Sequence, residues 1–260
     1  MLFISSNKNE HIKRLNGIQQ KARIRKKEQQ FSIEGLKEIK HAVNAGYTIE
    51  SLYIKEGTSD SMEDLIDLKI PTYEIASSLF EQLCIRKTSR FIGVAHVKSH
   101  KLEELNLPKS NPFLLIVEAP EKPGNIGAIL RTADAMGVDA LLIVSPKTDL
   151  YNPNVIRSSV GCPFHVPVGM GTIQDIMAFL NKHSINLYSA ALTDQAQPYT
   201  SQEYSGAIAI AFGTEDLGLS ADWLQQSPKQ IYIPMRGEND SLNVSVAVGI
   251  ILGEASRQRN

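Results

Sequence analysis

The side chain with the clearest chemical potential is Arg131, which belongs to a strand–loop–helix segment over residues 118–137. A predicted strand ends at Glu118, and a loop rich in proline and glycine leads into a helix for which Asn125 is the expected N-cap. Arg131 lies off the apolar stripe of this helix, four residues after Gly127, and helical side chains lean toward the N-terminus. Its guanidinium would then face free N–H groups of the loop, which suits an anionic ligand such as phosphate. An ordinary βαβ turn with one solvated arginine explains the segment equally well.

A second segment of this kind covers residues 208–224, where an apolar strand is predicted to end at Phe212. Gly213 follows directly and would let a ligand approach the backbone closely, because glycine has no side chain. Glu215 then stands at the carboxyl end of the strand, where it could orient a basic side chain or a hydroxyl group. The alternative is a carboxylate near a helix start, stabilised by the helix dipole.

A third segment covers residues 232–259 and joins a strand, through a polar loop, to a strongly apolar helix. Ser241, Asn243 and Ser245 stand where that helix begins. Buried polar side chains need hydrogen-bond partners, and helix capping accounts for one of the three more readily than for all of them. The apolar run Val244–Leu252 is expected to belong to the core or to a dimer interface.

Five predicted strands must position these segments. They are Phe113–Glu118, Ala140–Val144, Asn186–Ala191, Ala207–Phe212 and Gln230–Pro234. Most are continuous apolar runs with helical segments between them, which is typical of a buried parallel sheet in an α/β domain. Such sheets bind ligands beyond the carboxyl ends of their strands. We therefore expect the residues after Glu118, Phe212 and Ile233 to form the functional site.

The N-terminal part of the chain predicts a smaller unit in which helices and strands alternate. Its predicted helices are 8–28, Phe31–Gly46, Glu63–Leu68 and a helix near Ser77–Leu83, and its predicted strands are Ser51–Lys55, Thr72–Ile75 and a strand near Gly93–Val97. A weakly patterned stretch, Leu105–Pro112, is typical of a linker. We expect one domain over residues 1–106 and a second over residues 107–260.

Charge is distributed unevenly along the chain. The net charge of −1 gives no overall indication of a nucleic-acid partner. The first thirty residues, however, contain eight lysines and arginines against two glutamates, which is 8 − 2 = +6 in a segment of helical pattern. Such a stripe would serve for contacts with phosphates, and it is equally typical of a solvated helix face.

Metal and membrane sites are not expected. The two cysteines, Cys84 and Cys162, lie far apart, and the six histidines are scattered singly. This predicts reduced thiols in a cytoplasmic protein and no metal site. No apolar run approaches the roughly 18 residues of a membrane span, so no membrane partner is expected either.

Taken together, the three segments resemble the SpoU/TrmH family of RNA 2′-O-methyltransferases, within the SPOUT superfamily. The match lies in Asn125–Ala128, Arg131–Ala133, Phe212–Gly218, Ile233–Met235 and Ser241–Ser245, and a connecting segment, Asn154–Gly161 with Arg157 and Ser159, also looks similar. The resemblance covers roughly residues 113–258. Three ordered motifs at family-like spacing are far more specific than any one of them.

The resemblance implies a parallel sheet whose C-terminal part is tied in a deep trefoil knot, and a homodimer formed through the C-terminal domain. It implies S-adenosylmethionine as cofactor, held by Gly213, Ile233, Pro234, Met235 and Leu242. The implied catalytic residues are Arg131, with Asn125, Glu215, Ser241 and Asn243 as its polar partners. The N-terminal unit is similar, mainly through Phe31–Gly35, to a small ribosomal-protein-like RNA-binding domain.

The expected activity is methyl transfer to a ribose 2′-hydroxyl in structured RNA, with ribosomal RNA preferred and transfer RNA open. A hydroxyl nucleophile needs a base, and Arg131 is an unusual one because guanidinium stays protonated in proteins. Two roles are therefore kept for Arg131: a base assisted by a nearby phosphate, or a phosphate clamp with the proton lost to water.

Three rival functions are weighed against this one. A catalytically silent RNA-binding protein of the same fold is disfavoured by the intact polar residues in all three segments. A nicotinamide dehydrogenase lacks its glycine fingerprint here. A metabolite-binding α/β protein would leave the basic N-terminal stripe unexplained.

Overall fold

The structure is a computed structural model of the chain. The residues that it describes are 1–59, 70–108, 110–214, 216–238 and 241–259. The predicted helix Glu63–Leu68 and the predicted site residue Glu215 lie outside these ranges, so both remain predictions.

Strands and helices alternate along most of the chain. The strands are β1 (Leu2–Ile4), β2 (Gln30–Glu34), β3 (Ile49–Lys55), β4 (Thr72–Ile75), β5 (Phe91–His96), β6 (Phe113–Glu118), β7 (Ala140–Val144), β8 (Val168–Gly171), β9 (Asn186–Ala190), β10 (Gln197–Pro198), β11 (Ile208–Phe212) and β12 (Lys229–Tyr232). The α-helices are α1 (Glu10–Gln20), α2 (Ala22–Glu28), α3 (Leu36–Asn44), α4 (Ser77–Leu83), α5 (Pro123–Ala135), α6 (Pro153–Ser159), α7 (Ile173–Lys182), α8 (Ala221–Gln226) and α9 (Val244–Arg259).

The contacts within the chain divide it into two compact units. The first unit joins Met1–Lys98 to Asp149–His165, and the second joins Ser99–Thr148 to Val166–Asn260. The segment Asp149–His165 thus packs with the N-terminal residues, although it lies far along the chain. The division into two consecutive functional domains remains a prediction.

Arg25 accounts for part of this packing. Its side chain is 4% exposed, and its Nε donates to Asp149 Oδ2 at 2.6 Å. Its Nη1 donates to the carbonyl oxygens of Ile18 and Gln19, at 2.8 and 3.1 Å, which lie in the last turn of α1. One buried guanidinium therefore binds both the end of a helix and the distant segment.

The sheet of the first unit has the order β1-β4-β3-β5-β2. Pairing is parallel among β1, β4 and β3 and antiparallel among β3, β5 and β2. Successive residues of β3 face opposite sides, as the pleat requires. Leu52 and Ile54 join a core that includes Ile39 of α3, whereas Tyr53 joins a core that includes Ile12 of α1. Helices therefore cover both faces of the sheet.

The predicted helix Phe31–Gly46 is wrong over its first part, which forms β2. Phe31 and Ile33 are fully buried in this strand. Gly35 ends the strand at a φ of 108°, a conformation that glycine adopts without strain. The N–H of Gly35 donates to the carbonyl of Phe91 at 3.0 Å, so the sheet extends up to this glycine. Only the residues after Gly35 form the helix.

The predicted helix 8–28 is two helices, because Lys21 is extended at φ −123° and ψ 108°. The apolar spacing continues across the break, so periodicity alone does not show it. The strand β1 was not predicted. It is a three-residue edge strand, and two of its residues are exposed.

The second unit contains a seven-stranded sheet of order β10-β12-β9-β11-β6-β7-β8, in which every pairing is parallel. The predicted parallel α/β sheet is confirmed. All residues of β7 and β11 are buried. Helices α7 and α8 pack on one face, and α9 packs against α5.

The strand β8 was missed because it contains two glycines, which disfavour strands. A Cβ at Gly169 would lie 2.6 Å from Leu105 Cδ1 and 2.8 Å from Leu102 Cδ2. The glycine therefore makes room for these leucines, and Leu102 is buried against the sheet. The beginning of the predicted linker Leu105–Pro112 thus packs in the core of the second unit.

The carboxyl ends of four neighbouring strands lie at one edge of this sheet. Phe212 of β11 pairs with Val117 of β6 and with Ala190 of β9, and Ile231 of β12 also pairs with Ala190. Because these strands are parallel, the loops after β6, β11 and β12 start from the same edge. The predicted convergence of the three segments is confirmed.

The structure also describes the two cysteines and the apolar character of the helices. Both Cys84 and Cys162 are free thiols, and burial raises the pKa of the Cys84 thiol to about 12. Among the residues described, no helix combines the length and the apolar character needed to span a membrane.

Candidate active site

The loops after β9, β11 and β12 and the start of α9 line a cavity of about 340 Å³. Four of the five residues predicted to bind the cofactor belong to its lining, namely Gly213, Ile233, Met235 and Leu242. The fifth, Pro234, is exposed and lies outside the described lining. Ser241, predicted as catalytic, belongs to it. The volume falls in the range of small-molecule sites, roughly 300–1,000 Å³.

The wall of the cavity at Gly213 is made by backbone. A Cβ at this position would lie 1.9 Å from the carbonyl carbon and 2.0 Å from the carbonyl oxygen of Gly218. The loop folds back on itself here, because Thr214 N–H donates to Gly218 O and Gly218 N–H donates to Thr214 O, both at 3.0 Å. Only glycine fits at position 213 without moving this loop. Backbone groups therefore face the ligand space.

Glu118 joins the first segment to the second. It ends β6, and its Oε2 accepts the backbone N–H of Ser220 at 2.9 Å, just before α8 begins. From the sequence, Glu118 was recognised only as the end of a strand. Its carboxylate fixes the distance between the two loops.

The first and third segments are joined by two asparagines. Asn243 Nδ2 donates to Asn125 Oδ1 at 3.2 Å, although 118 residues separate them. The prediction that Asn125 caps α5 is wrong, because the helix begins at Pro123 with Lys122 as N-cap. Proline is favoured in the first helical turn, since its fixed φ suits a helix and its missing N–H is not needed there. Asn125 lies inside that first turn instead.

Asn243 also caps α9. Its Oδ1 accepts from Ser245 N at 3.0 Å and from Ser245 Oγ at 2.6 Å. Its backbone carbonyl accepts from the N–H groups of Val246 and Ala247, each at 3.0 Å. The side-chain oxygen thus serves the helix while the amide nitrogen contacts Asn125.

A smaller cavity of about 50 Å³ lies beside the first. Asn125 and Glu118 line it, together with Gly213, Thr214 and Val244, and the last three residues also line the larger cavity. The two cavities are therefore neighbours across the loop after β11.

Arg131 is exposed on α5, six residues after Asn125. It makes no hydrogen bond or ion pair with the residues that the structure describes, and it belongs to the lining of neither cavity. The structure therefore brings Asn125, Asn243 and Ser241 to the cavity region, while the Arg131 side chain stays accessible to solvent.

The loop after β9 was missed as part of the site. Ala191, Leu192 and Thr193 line the larger cavity, and so does Leu217. Leu192 and Leu217 are 69% and 87% exposed, so apolar side chains surround the cavity mouth. The carboxyl-end rule already applied to the predicted strand Asn186–Ala191. The loop after it has no unusual residue types, so no local pattern indicates its part in the site.

The eight basic side chains of the N-terminal stripe fall into two groups in the first unit. Arg14 pairs with Glu50 at 3.0 Å, and Arg25 is buried against Asp149, so these two arginines stabilise the unit itself. The other six basic side chains are exposed, namely Lys8, Lys13, Lys21, Arg23, Lys26 and Lys27.

Two family models match successive parts of the chain. Residues 112–253, more than half of the chain, match the SpoU rRNA Methylase family. Residues 9–92 match the MRM3-like substrate binding domain.

Individual relatives agree with these matches. A Bacillus subtilis protein named 23S rRNA (guanosine(2553)-2′-O)-methyltransferase RlmP is 28% identical over 253 residues, which is 97% of this chain and 98% of the relative. A Thermus thermophilus tRNA (guanosine(18)-2′-O)-methyltransferase is 33% identical over 163 residues, 62% of this chain and 83% of the relative.

Among solved structures, the crystal structure of an RNA 2′-O ribose methyltransferase superposes with a TM-score of 0.83, at 33% identity and covering 99% of both chains. The family match accounts for the parallel sheet, for the loops at its carboxyl edge and for the ordered motifs. The chain belongs to the SpoU rRNA methylase family.

Proposed function

We propose that this chain transfers the methyl group of S-adenosylmethionine to a ribose 2′-hydroxyl in a structured RNA, and that this RNA is ribosomal. One observation carries the proposal: three segments far apart in sequence meet at one edge of the parallel sheet, and four predicted cofactor residues line one cavity there. A 2′-hydroxyl acceptor implies RNA and not DNA.

The cavity residues fit S-adenosylmethionine. Gly213 and Gly218 belong to the cavity lining and have no side chains, so backbone borders the ligand space there. Ile233 and Leu242 would supply apolar surface to the bound cofactor. When bound, S-adenosylmethionine supplies an electrophilic methyl group on a sulfonium; the ribose 2′-oxygen forms the new C–O bond as the S–C bond breaks.

The residues of the chain act mainly by positioning, because this displacement needs alignment and exclusion of water. Asn125 and Asn243, held together by their hydrogen bond, would orient the ribose beside the methyl donor. Ser241, in the lining of the larger cavity, would contribute a hydroxyl to the same task. Glu215 is assigned a supporting role on its motif position alone.

Arg131 is proposed as a phosphate clamp. Its guanidinium stays protonated, so its five donors can bind an RNA phosphate, and its exposed position on α5 leaves those donors accessible. The hydroxyl proton then passes to water. A base role assisted by that phosphate is the alternative.

The division of labour follows the two family matches. We propose that residues 107–260 carry catalysis and that residues 1–106 bind the substrate RNA. The relative that acts on ribosomal RNA matches 97% of this chain, whereas the transfer RNA relative matches 62%. This difference favours ribosomal RNA and keeps transfer RNA as the alternative.

A trefoil knot in the second unit, a homodimer and a cytoplasmic location complete the proposal. The family match supports the knot and the dimer. Val246 supports the dimer further, because it is apolar and 48% exposed on α9. Sedimentation equilibrium is expected to give twice the chain mass of 28.7 kDa. The cytoplasm is where the proposed RNA substrate is found.

Tritiated S-adenosylmethionine and unmodified ribosomal RNA test the proposal. We expect transfer by the wild type, a loss of about 10²-fold or more in Arg131→Ala, and no change in the control Lys182→Ala, an exposed residue on α7. Full activity of Arg131→Ala would remove its assigned role. RNA binding by the wild type without S-adenosylmethionine binding, measured by calorimetry, would instead indicate a silent RNA-binding protein.

A further inference from the structure

The loop between α4 and β5, residues 84–90, is held in place by a carboxylate at the end of β2. Glu34 Oε2 accepts the backbone N–H of Ile85 at 2.8 Å, and Glu34 Oε1 accepts that of Arg86 at 2.7 Å. Hydrogen bonds to an ionised group are stronger than neutral ones. A third bond closes a turn inside the loop, since Ser89 N–H donates to Arg86 O at 3.0 Å. The loop backbone is therefore fixed by the first unit.

A second carboxylate, which is buried, binds the same loop. Glu38 has a side chain that is 4% exposed, and its Oε1 accepts from Arg86 Nη1 at 2.7 Å. A Cβ at Gly35 would lie 2.3 Å from Glu38 Oε2, so this arrangement depends on the glycine. Burying an ion pair contributes little net stability because of desolvation. What the pair does provide is a single conformation of Arg86 and its loop.

The outer side of the loop combines positive charge with apolar surface. Lys87 and Arg90 are exposed and form no ion pair with the described residues, and residues 84–90 contain no acidic side chain. Ile85, next to them, is 45% exposed. Arg86 Nη2 donates to the carbonyl of Arg157 at 3.3 Å, so a further exposed arginine lies beside the loop.

We propose that this loop is a contact surface for the substrate RNA. Lys87 and Arg90 bind backbone phosphates, and Ile85 packs against an unpaired base. Charge complementarity favours RNA, because Lys87 and Arg90 are exposed and form no ion pair with the described residues, so that a polyanion can bind them. The proposal rests on the proposed function and goes beyond it by placing the RNA on this loop and not on the basic N-terminal stripe.

Binding of an unmodified 23S ribosomal RNA transcript, measured at several salt concentrations, tests the loop cations. The double variant Lys87→Ala/Arg90→Ala is expected to raise Kd about tenfold and to reduce the salt slope by about 2. The matched control Lys13→Ala/Lys26→Ala removes the same charge from the exposed stripe and is expected to raise Kd less than about threefold. An equal effect of the two pairs would overturn the proposal.

The variant Glu34→Gln distinguishes RNA binding that depends on the conformation of the loop from RNA binding by charge alone. It removes a negative charge, so charge alone predicts tighter RNA binding. Our proposal predicts binding weaker by about fivefold, because the loop loses its anionic anchor. Tighter or unchanged binding would contradict the proposal, provided that the melting temperature stays near that of the wild type; if it falls, the exposed double variant decides.

S-adenosylmethionine calorimetry and methyl transfer distinguish this proposal from the proposed function. All loop variants are expected to bind S-adenosylmethionine like the wild type and to show a raised KM for RNA with kcat retained. A wild type that binds no RNA contradicts the proposed function. A wild type that binds and methylates RNA, with loop variants equal to it, contradicts only the role of the loop.

Discussion

At the scale of single residues, the larger cavity depends on the missing side chain of Gly213. Gly213→Ala would place a methyl group against the backbone of Gly218, where no flexible side chain can move aside. We expect the loop to shift and the affinity for S-adenosylmethionine to fall about tenfold or more, since overpacking costs about 1–3 kcal/mol. Calorimetry measures this directly. The control Gly253→Ala, whose added methyl meets no atom within 4 Å in α9, should bind like the wild type.

Asn243 combines a helix cap with a contact to Asn125 for which we propose a functional role, and two substitutions separate them. Asn243→Ala removes the helix cap and is expected to lower the free energy of unfolding by about 1 kcal/mol. Asn243→Asp keeps an oxygen for Ser245 but has no amide to donate to Asn125. We therefore expect the Asp variant to retain its melting temperature and to lose methyl transfer. A fully active Asn243→Asp would show that the contact between the asparagines has no catalytic role.

At the scale of elements, Arg259 binds the last turn of α9 to neighbouring loop residues. Its Nη1 donates to Tyr204 O at 3.2 Å and to Gly206 O at 2.6 Å, its Nη2 donates to Asn111 O, and its guanidinium lies 5.1 Å from the ring centre of Phe113. These contacts join the helix to the residues that precede β6 and β11.

Arg259→Ala is expected to lower the free energy of unfolding by about 2–3 kcal/mol, because several carbonyl groups lose a charged donor. Arg257→Ala is the matched control, since that side chain is 70% exposed and pairs only with Glu254 among the described residues. We expect the control to leave the free energy of unfolding nearly unchanged, because exposed ion pairs contribute little. Equal destabilisation in urea unfolding would contradict this assignment.

Elements were predictable where a single pattern decides them. The apolar strands of the second sheet and the glycine that ends α5, Gly137 with φ 70°, follow from composition and periodicity. Gly35 was not recognised as a boundary, because the helical stripe after it can be extended backward across Phe31 and Ile33. Strand β8 was not predictable either. Its glycines make sense only once Leu102 is known to pack on them.

At the scale of the whole molecule, the chain leaves its second unit after Thr148 and returns to it at Val166. No local pattern marks this excursion, since it depends on long-range contacts such as that between Arg25 and Asp149. The site itself was more predictable, because parallel topology places every strand end at one edge. Arg131 is the exception. Its motif position predicts a catalytic role, whereas its side chain is exposed in the single chain.

The central claim is that the methyl group reaches a ribose oxygen of RNA, and the product measures this most directly. The protein is incubated with S-adenosylmethionine that carries a deuterated methyl group and with unmodified 23S ribosomal RNA, and the digested nucleosides are analysed by mass spectrometry. We predict that the heavy methyl appears on the ribose fragment of one nucleoside. A heavy methyl on a nucleobase, or none on any RNA while the protein is folded and binds S-adenosylmethionine, would contradict the account.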